Sequence, residues 1–230
     1  EILWSGDFSV VRKTGLCAIQ ICECAVGCEG IYPKVVFETE KFEIGSAWIE
    51  RQLNANIKSF FFQRSGVELE EKFAGKWARP AAHLDDCIGF HSMMNRDGTW
   101  NAHGGWYDAG DYGKYIVNGG VSVGTLLLAC GICDGRVKSV REGGTFELPY
   151  SLMDEVRFEL DFFLRMQDSD GGVFFKVTPE HWDAFVSPED SDKLQKRLVL
   201  GKSTSSTLNF AGALAMAAMV YGKDDSEFAD

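Results

Sequence analysis

Two carboxylates, Asp108 and Asp111, stand three residues apart within the run GGWYDAGDYGKY, which covers residues 104–115. Three residues correspond to about one helical turn, so both side chains can point the same way. One carboxylate can take a proton from a water molecule. The second can fix that water in place and raise the basicity of the first by like-charge proximity. The spacing therefore suits hydrolysis by a general base.

Aromatic residues and glycines surround this pair. Trp106, Tyr107 and Tyr112 offer flat faces that can cover the apolar face of a sugar ring. The flanking glycines allow the backbone to approach a ligand closely. Paired carboxylates beside aromatic rings are what glycoside hydrolysis requires. A simpler interpretation also stays open, in which the two aspartates only stabilise the N-terminus of a following helix.

The charge balance narrows the class of partner. The chain has 34 acidic residues against 23 basic ones and a formal net charge of −11. Nucleic acid needs a basic face and anionic lipid repels an acidic one, so neither is an expected partner. Hydrophobic residues make up 45% of the chain, which is enough for a sizeable core. No run of 18 apolar residues is present, so the sequence predicts no membrane span.

The hydrophobic pattern changes near residue 46. Before it, β-rich runs at 16–22 and 35–44 predict two or three strands, with turns at Gly27, Gly30 and Pro33. After it, helical periodicity separates two long irregular segments, 66–110 and 168–202, whose length suggests a functional role. The predicted helices run from Ser46 to about Gln63, from Asp111 or Tyr112 to Cys130, from just after Pro149, and from within residues 203–207.

The run GGWYDAGDYGKY resembles the signature of glycoside hydrolase family nine, the inverting endoglucanases and related cellulases. Further stretches follow in the order typical of that family and extend the resemblance over most of residues 46–222. They are FFFQRSG (60–66), AGKWARPAAH (74–83), DGGVFFKVTPEHW (170–182) and STSSTLNFAGALAMAAMVY (203–221).

The resemblance implies a mainly α fold. Residues 46–230 would form the N-terminal part of an (α/α)6 barrel whose loops build a cleft at one end. Residues 1–45 resemble the C-terminal part of an immunoglobulin-like β module. Asp111 is similar to the base that deprotonates the attacking water, and Asp108 is similar to the partner that holds this water. The implied reaction is inverting hydrolysis of β-1,4-glucosidic bonds in cellulose or a related β-glucan.

The same resemblance bears on substrate binding and on the acid. His181 and Trp182 border the cleft by resemblance and join Trp106, Tyr107 and Tyr112 as predicted glucan contacts. The general acid of the family is a Glu near the end of its domain, so we expect it beyond residue 230 and expect these residues alone to be inactive.

Two other functions compete with hydrolysis as interpretations of the sequence. A non-catalytic glycan-binding protein on the same scaffold would not need both Asp108 and Asp111. A helical-barrel enzyme that uses Asp85 and Asp86 with Mg²⁺, such as a terpenoid cyclase, leaves the 104–115 run unexplained. Hydrolysis is therefore the leading hypothesis.

A zinc site is one metal alternative. His83, Cys87 and His91 would share a face if their segment were helical, and Cys and His suit zinc. The related branch of the family carries a structural zinc there, but Ser65 and Ala82 stand where those relatives have Cys. We therefore expect no zinc, with His83 bonded locally and Cys87 packed as a small hydrophobe.

Calcium is the other metal alternative, since family members often bind it. The acidic pairs Asp85–Asp86 and Asp168 with Asp170 would suit a structural calcium ion, although solvated loop charges are the plainer interpretation. No cofactor is required. The expected partner is a β-glucan polysaccharide, acted on by a monomer that a bacterium secretes, with no signal peptide visible after Glu1.

Overall fold

A computed structural model describes residues 7, 9–23, 34–45, 47–132, 151–182, 185–222, 225 and 228. The chain divides into two compact units, Glu1–Leu53 and Asn54–Asp230. The boundary predicted after residue 45 falls on the N-terminal side of this division. The assignment of the first unit to an immunoglobulin-like module stays a prediction.

Four short strands of the first unit form two separate two-stranded antiparallel sheets. The runs 16–22 and 35–44 do contain strands, as predicted, but each is divided into two, so there are four strands rather than two or three. The predicted turn residues Gly27, Gly30 and Pro33 lie outside the described residues. The paired strands are β1 (Gly15–Cys17) with β4 (Phe42–Ile44), and β2 (Gln20–Glu23) with β3 (Lys34–Glu38).

Six helices are described along the chain, and local capping explains where two of them begin. The Ser151 side chain accepts a hydrogen bond from the backbone N–H of Asp154, and the Asp154 side chain accepts one from the backbone N–H of Ser151. Ser203 and Ser206 form the same kind of capping box. The helices are α1 (Ala47–Gln63), α2 (Glu71–Ala74), α3 (Ile116–Ile132), α4 (Leu152–Arg165), α5 (Pro188–Leu194) and α6 (Thr204–Tyr221).

Three of the four predicted long helices are confirmed as α1, α4 and α6, although Ser46 lies outside the described residues. The predicted start of the other helix is wrong. It begins at Ile116 rather than at Asp111 or Tyr112. A turn occupies the intervening residues, since the backbone N–H of Asp108 donates to the carbonyl of Gly113 at 2.8 Å.

The prediction of two irregular segments is wrong in part, because both contribute strands to one five-stranded sheet. These strands are short and pair with residues distant in the sequence, so periodicity could not reveal them. In sheet order they are β6 (Thr99–Trp100), β5 (Ile88–Phe90), β9 (Arg197–Lys202), β8 (Phe174–Pro179) and β7 (Lys114–Tyr115).

The core of the second unit lies where α3 packs against α4 and α6. Close approach requires small residues, since a methyl group added to Gly120 of α3 would lie 3.2 Å from Cβ of Asn209 on α6. Ala213 and Ala217 of α6 are buried in the same core. Within the described residues, no helix is long and apolar enough to cross a membrane.

Candidate active site

The two aspartates lie on a tight turn between Trp106 and β7. The backbone N–H of Tyr112 donates to the carbonyl of Ala109 at 3.1 Å, and Tyr112 has a left-handed backbone with φ of 52°. The turn therefore brings Asp108 and Asp111 together without a helix. The interpretation of the pair as stabilisers of a helix N-terminus gains no support, because α3 begins only after β7.

Each carboxylate has its own hydrogen-bond donors. Oδ1 of the exposed Asp108 accepts from the amide of Asn118 at 2.7 Å. Asp111 is half-buried; its Oδ1 accepts from the N–H of Gly113 at 3.1 Å and its Oδ2 from the hydroxyl of Tyr115 at 2.9 Å. Burial, the hydrogen bond to Asp111 and the charges of both aspartates raise the pKa of Tyr115 to about 12. Both carboxylates thus lie close to one phenol hydroxyl.

Trp106 anchors the turn from inside. Its ring is 5% exposed and packs against Phe60 with ring centroids 4.6 Å apart. Its backbone N–H donates to Glu159 at 2.6 Å and its indole N–H to Glu155 at 2.8 Å. Arg64 forms an ion pair with Glu155 at 3.0 Å. Little of the indole is left for a sugar, so the ring acts mainly by holding the loop.

Tyr107 is buried as well. It is 4% exposed, and its hydroxyl lies 2.8 Å from Nδ1 of His83. Burial, reinforced by the nearby charge of Arg197, lowers the pKa of His83 to about 3, so the imidazole is neutral at physiological pH. Tyr112, in contrast, is half-buried and donates its hydroxyl to the carbonyl of Val186.

His181 and Trp182 follow β8 on an exposed loop. The backbone N–H of His181 donates to the side chain of Gln195 at 2.7 Å. Trp182 is 75% exposed. The structure leaves this indole open to solvent and does not bring it together with the two aspartates, so its contact with substrate stays a prediction.

A buried ion cluster supports the same loop. Lys114 is completely buried; its Nζ lies 2.8 Å from Asp85 and donates to the carbonyls of Ala102 at 2.6 Å and Gly104 at 2.8 Å. Arg197 donates from Nε to Asp85 at 2.8 Å. Burial lowers the pKa of Lys114 to about 8. The interpretation of Asp85 as a solvated loop charge is wrong, because it is the buried counter-ion of two cations.

The three residues considered as zinc ligands, His83, Cys87 and His91, do not share a helical face. His83 lies in a loop, Cys87 precedes β5, and His91 accepts a hydrogen bond from the N–H of Met93 at the start of a short 3-10 helix. Cys87 is exposed rather than packed as a small hydrophobe. The hydrogen bond of His83 joins it to Tyr107, which lies 24 residues away in the sequence, rather than to a local group.

The residues around His83 do not fit a zinc ion. Nδ1 of His83 is taken by Tyr107, and the hydroxyl of Ser65 donates to the carbonyl of His83. His103 points its Nδ1 at the carbonyl of Leu84 at 2.7 Å. Among the described residues, no three His, Cys, Asp or Glu side chains are grouped so that they could hold a metal ion.

The acidic pair considered for calcium is already matched by protein cations. Lys202 lies 2.6 Å from Asp168 and 2.7 Å from Asp170, and Arg96 also pairs with Asp168. The hydrogen bond from Arg96, together with that from Lys202, holds the pKa of Asp168 well below its usual value. A calcium ion would have to displace both cations.

Two cavities flank the loop and share Gln63 and Tyr107 as a common wall. The larger, about 560 Å³, lies between α1, the 76–79 segment and the start of α5. Its rim carries Trp77, which is 64% exposed, while Arg79 braces the segment by pairing with Leu69. The smaller, about 170 Å³, is lined by Asp108, Tyr115, Asn118 and Glu159 together with Ser59, Phe60, Trp106, Gly119 and Ser122.

Several supporting residues carried no assigned role at the sequence level. Tyr115 is the last residue of the run at 104–115, and this position in the motif could have indicated a role for it. Glu155 and Glu159 stand four residues apart on the apolar face of α4, which is an unusual place for carboxylates unless they are bonded. Asn118 had no signal, because its contact depends on how α3 meets the turn.

Known proteins match the region of the chain that contains these residues. Residues 50–230 match the family described as glycosyl hydrolase family 9. The xyloglucan-specific endo-beta-1,4-glucanase BoGH9A of Bacteroides ovatus is 37% identical over 76% of the chain, which covers 31% of that enzyme. Endoglucanase D of Acetivibrio thermocellus is 33% identical over 100% of the chain, which covers 35% of it. The chain thus spans about a third of these relatives.

Solved structures agree with the sequence matches. A Bacteroides ovatus structure described as GH9 has a TM-score of 0.74 at 27% identity, over 94% of this chain and 48% of that one. The structure of AaCel9A in complex with cellobiose-like isofagomine has a TM-score of 0.78 at 31% identity, over 97% of this chain and 40% of that one.

Proposed function

The chain belongs to glycosyl hydrolase family 9, and from that premise we propose that it takes part in hydrolysing β-1,4-glucosidic bonds of cellulose or a related β-glucan with inversion. The observation that carries the proposal is the turn that holds two carboxylates together, each with its own fixed donor. A glycan-binding protein would have no use for that pair.

In the proposed mechanism Asp111 removes a proton from the attacking water. Its carboxylate is held at both oxygens, so one lone pair can be kept in line with the water during proton transfer. Asp108, held by Asn118, orients the same water. An inverting enzyme needs space for water between base and acid, with the carboxyl groups about 6.5–9.5 Å apart.

In this proposal no Glu of the described residues is assigned as the general acid. Glu155 and Glu159 lie close to Trp106, but they are 0% and 1% exposed and both accept hydrogen bonds from that residue. Both carboxylates are buried and hold Trp106 in place, so we assign neither of them as the acid. We therefore expect the 230-residue chain alone to show no turnover, and robust cellulase activity from it would contradict this expectation.

The proposal also covers how the substrate is bound and where the enzyme acts. Trp182 and Tyr112 keep ring surface that a glucose unit can stack on, whereas Trp106 and Tyr107 position the turn. The helices would belong to an (α/α)6 barrel. The enzyme would act as a secreted bacterial monomer that needs no cofactor. Xyloglucan is a substrate to test, since one relative is named for it.

The test uses the full-length protein that carries this chain. Carboxymethylcellulose, xyloglucan and cello-oligosaccharides are incubated with it, and released reducing ends and the anomeric form of fresh product are measured, the latter by proton NMR. The proposal predicts release of α-anomers from at least one β-glucan. Saturable oligosaccharide binding without any bond cleavage would replace it with the glycan-binding alternative.

A further inference from the structure

The hydroxyl of Tyr115 lies between a carboxylate and an ammonium group. It donates to Oδ2 of Asp111 at 2.9 Å and lies 3.4 Å from Nζ of Lys176, which can donate to it. Tyr115 and Lys176 are direct partners in the antiparallel pairing of β7 with β8, so the sheet register fixes how closely their side chains approach. Lys176 also lies over the Tyr115 ring, with Nζ 4.9 Å from its centroid.

Gly113 makes room for this arrangement. A methyl group added to Gly113 would lie 2.5 Å from Cε2 and 3.1 Å from the hydroxyl oxygen of Tyr115. The phenol ring therefore folds back against the backbone of the turn whose N–H already holds Oδ1 of Asp111. Gly113 and Tyr115 thus hold the two oxygens of the same carboxylate.

We propose that Tyr115, backed by Lys176, is a positioning residue that fixes the orientation of the Asp111 carboxylate. The proposal rests on the role of Asp111 given above. The donated hydrogen bond restrains rotation of that carboxylate and so keeps one lone pair directed at the attacking water. The ammonium group beside the phenol makes its O–H a stronger donor.

The experiment measures kcat and KM for the full-length protein and its Tyr115→Phe, Lys176→Met and Gly113→Ala variants. Tyr115→Phe should lower kcat about tenfold with KM nearly unchanged, because the donor that orients the carboxylate is lost. Lys176→Met should lower kcat less, and Gly113→Ala should lower kcat because the phenol ring is displaced.

Tyr221→Phe is the matched control, since that hydroxyl donates to the carbonyl of Met153 at the N-terminal end of α4. It should leave kcat unchanged. A wild-type kcat in Tyr115→Phe and Gly113→Ala, in a protein that Asp111→Asn inactivates, would overturn the positioning role alone. Full activity of Asp111→Asn would instead overturn the proposed function. If Tyr115→Phe fails to fold, an unchanged kcat in Lys176→Met and Gly113→Ala is still decisive.

Discussion

Nζ of Lys114 lies 2.8 Å from Oδ2 of Asp85, and both side chains are shielded from solvent. The pair ties the aspartate turn to residues far away in the chain, because Asp85 also binds Arg197 on β9. Burial favours the neutral acid, yet the charges of Lys114 and Arg197 hold the pKa of Asp85 below its usual value. The cluster is thus an ionised support for the candidate site.

Replacing Lys114 by Met should destabilise the full-length protein strongly. It would leave Asp85 with one of its two cations and the carbonyls of Ala102 and Gly104 without their donor. The loss expected from breaking a buried pair is about 3–5 kcal/mol in the free energy of unfolding, measured by urea denaturation. The control is Lys193→Met, whose pair with Asp190 is exposed and screened by solvent, so its loss should change the free energy of unfolding little. Equal losses would contradict the account.

The pH dependence of stability should carry a contribution from Glu159. Burial raises its pKa to about 8, against the opposing effects of the Trp106 N–H and Lys114, whereas the unfolded value is near 4.5. The folded state then holds the proton that the unfolded state releases. The stabilisation is therefore fully present below pH 4.5 and is lost as pH rises through 8. Glu159→Gln should flatten the fall in the free energy of unfolding between pH 5 and 8, and an unchanged slope would refute this assignment.

The two glycines before Trp106 should differ in their tolerance of alanine. Both have a φ of 79°, so both substitutions carry the same backbone strain. A methyl group on Gly105 would lie 2.6 Å from the Phe162 ring, whereas a methyl group on Gly104 would lie 3.8 Å from the Phe158 ring. Gly105→Ala should therefore unfold at a lower temperature than Gly104→Ala in calorimetry. The reverse order would show that the packing of the turn against α4 is incorrectly described.

Local sequence signals foretold the parts of the fold that depend on neighbours in the chain. The Ser and Thr hydroxyls at 203–207 can cap a helix, which explains why the sequence predicts the start of α6 there, and Ser203 does cap it. The start of α3 was misjudged because the turn at Asp108–Gly113 competes with helical propensity. The sheet was missed because β5 pairs with β9 through residues such as Gly89 and Leu198, which no local pattern connects.

The candidate site shows the same division. Asp108 and Asp111 could be found because they are close in the sequence and flanked by glycines and aromatics. The groups that orient Asp111 were less visible, since Lys176 becomes its indirect neighbour only through the β7–β8 register. The aromatic faces also needed the fold, because only the structure separates the buried Trp106 from the exposed Trp182.

Trp182 should contribute to substrate binding without contributing to stability. Its ring is 75% exposed, so Trp182→Ala should leave the unfolding temperature unchanged. Loss of a stacking surface should raise KM for cello-oligosaccharides by about 10-fold in the full-length protein, as measured by steady-state kinetics. Trp77→Ala, which removes a similarly exposed indole from the larger cavity, serves for comparison. Unchanged oligosaccharide affinity in Trp182→Ala would count against the predicted contact.

The most direct test of the central claim is the rate at which the full-length Asp111→Asn variant hydrolyses a β-glucan that the wild type cleaves. Loss of a general base should reduce kcat by about 10²–10⁴-fold. Asp86→Asn makes the same chemical change at an exposed carboxylate outside the turn and should keep the wild-type rate. A wild-type rate in Asp111→Asn would contradict the assignment of Asp111 as the base.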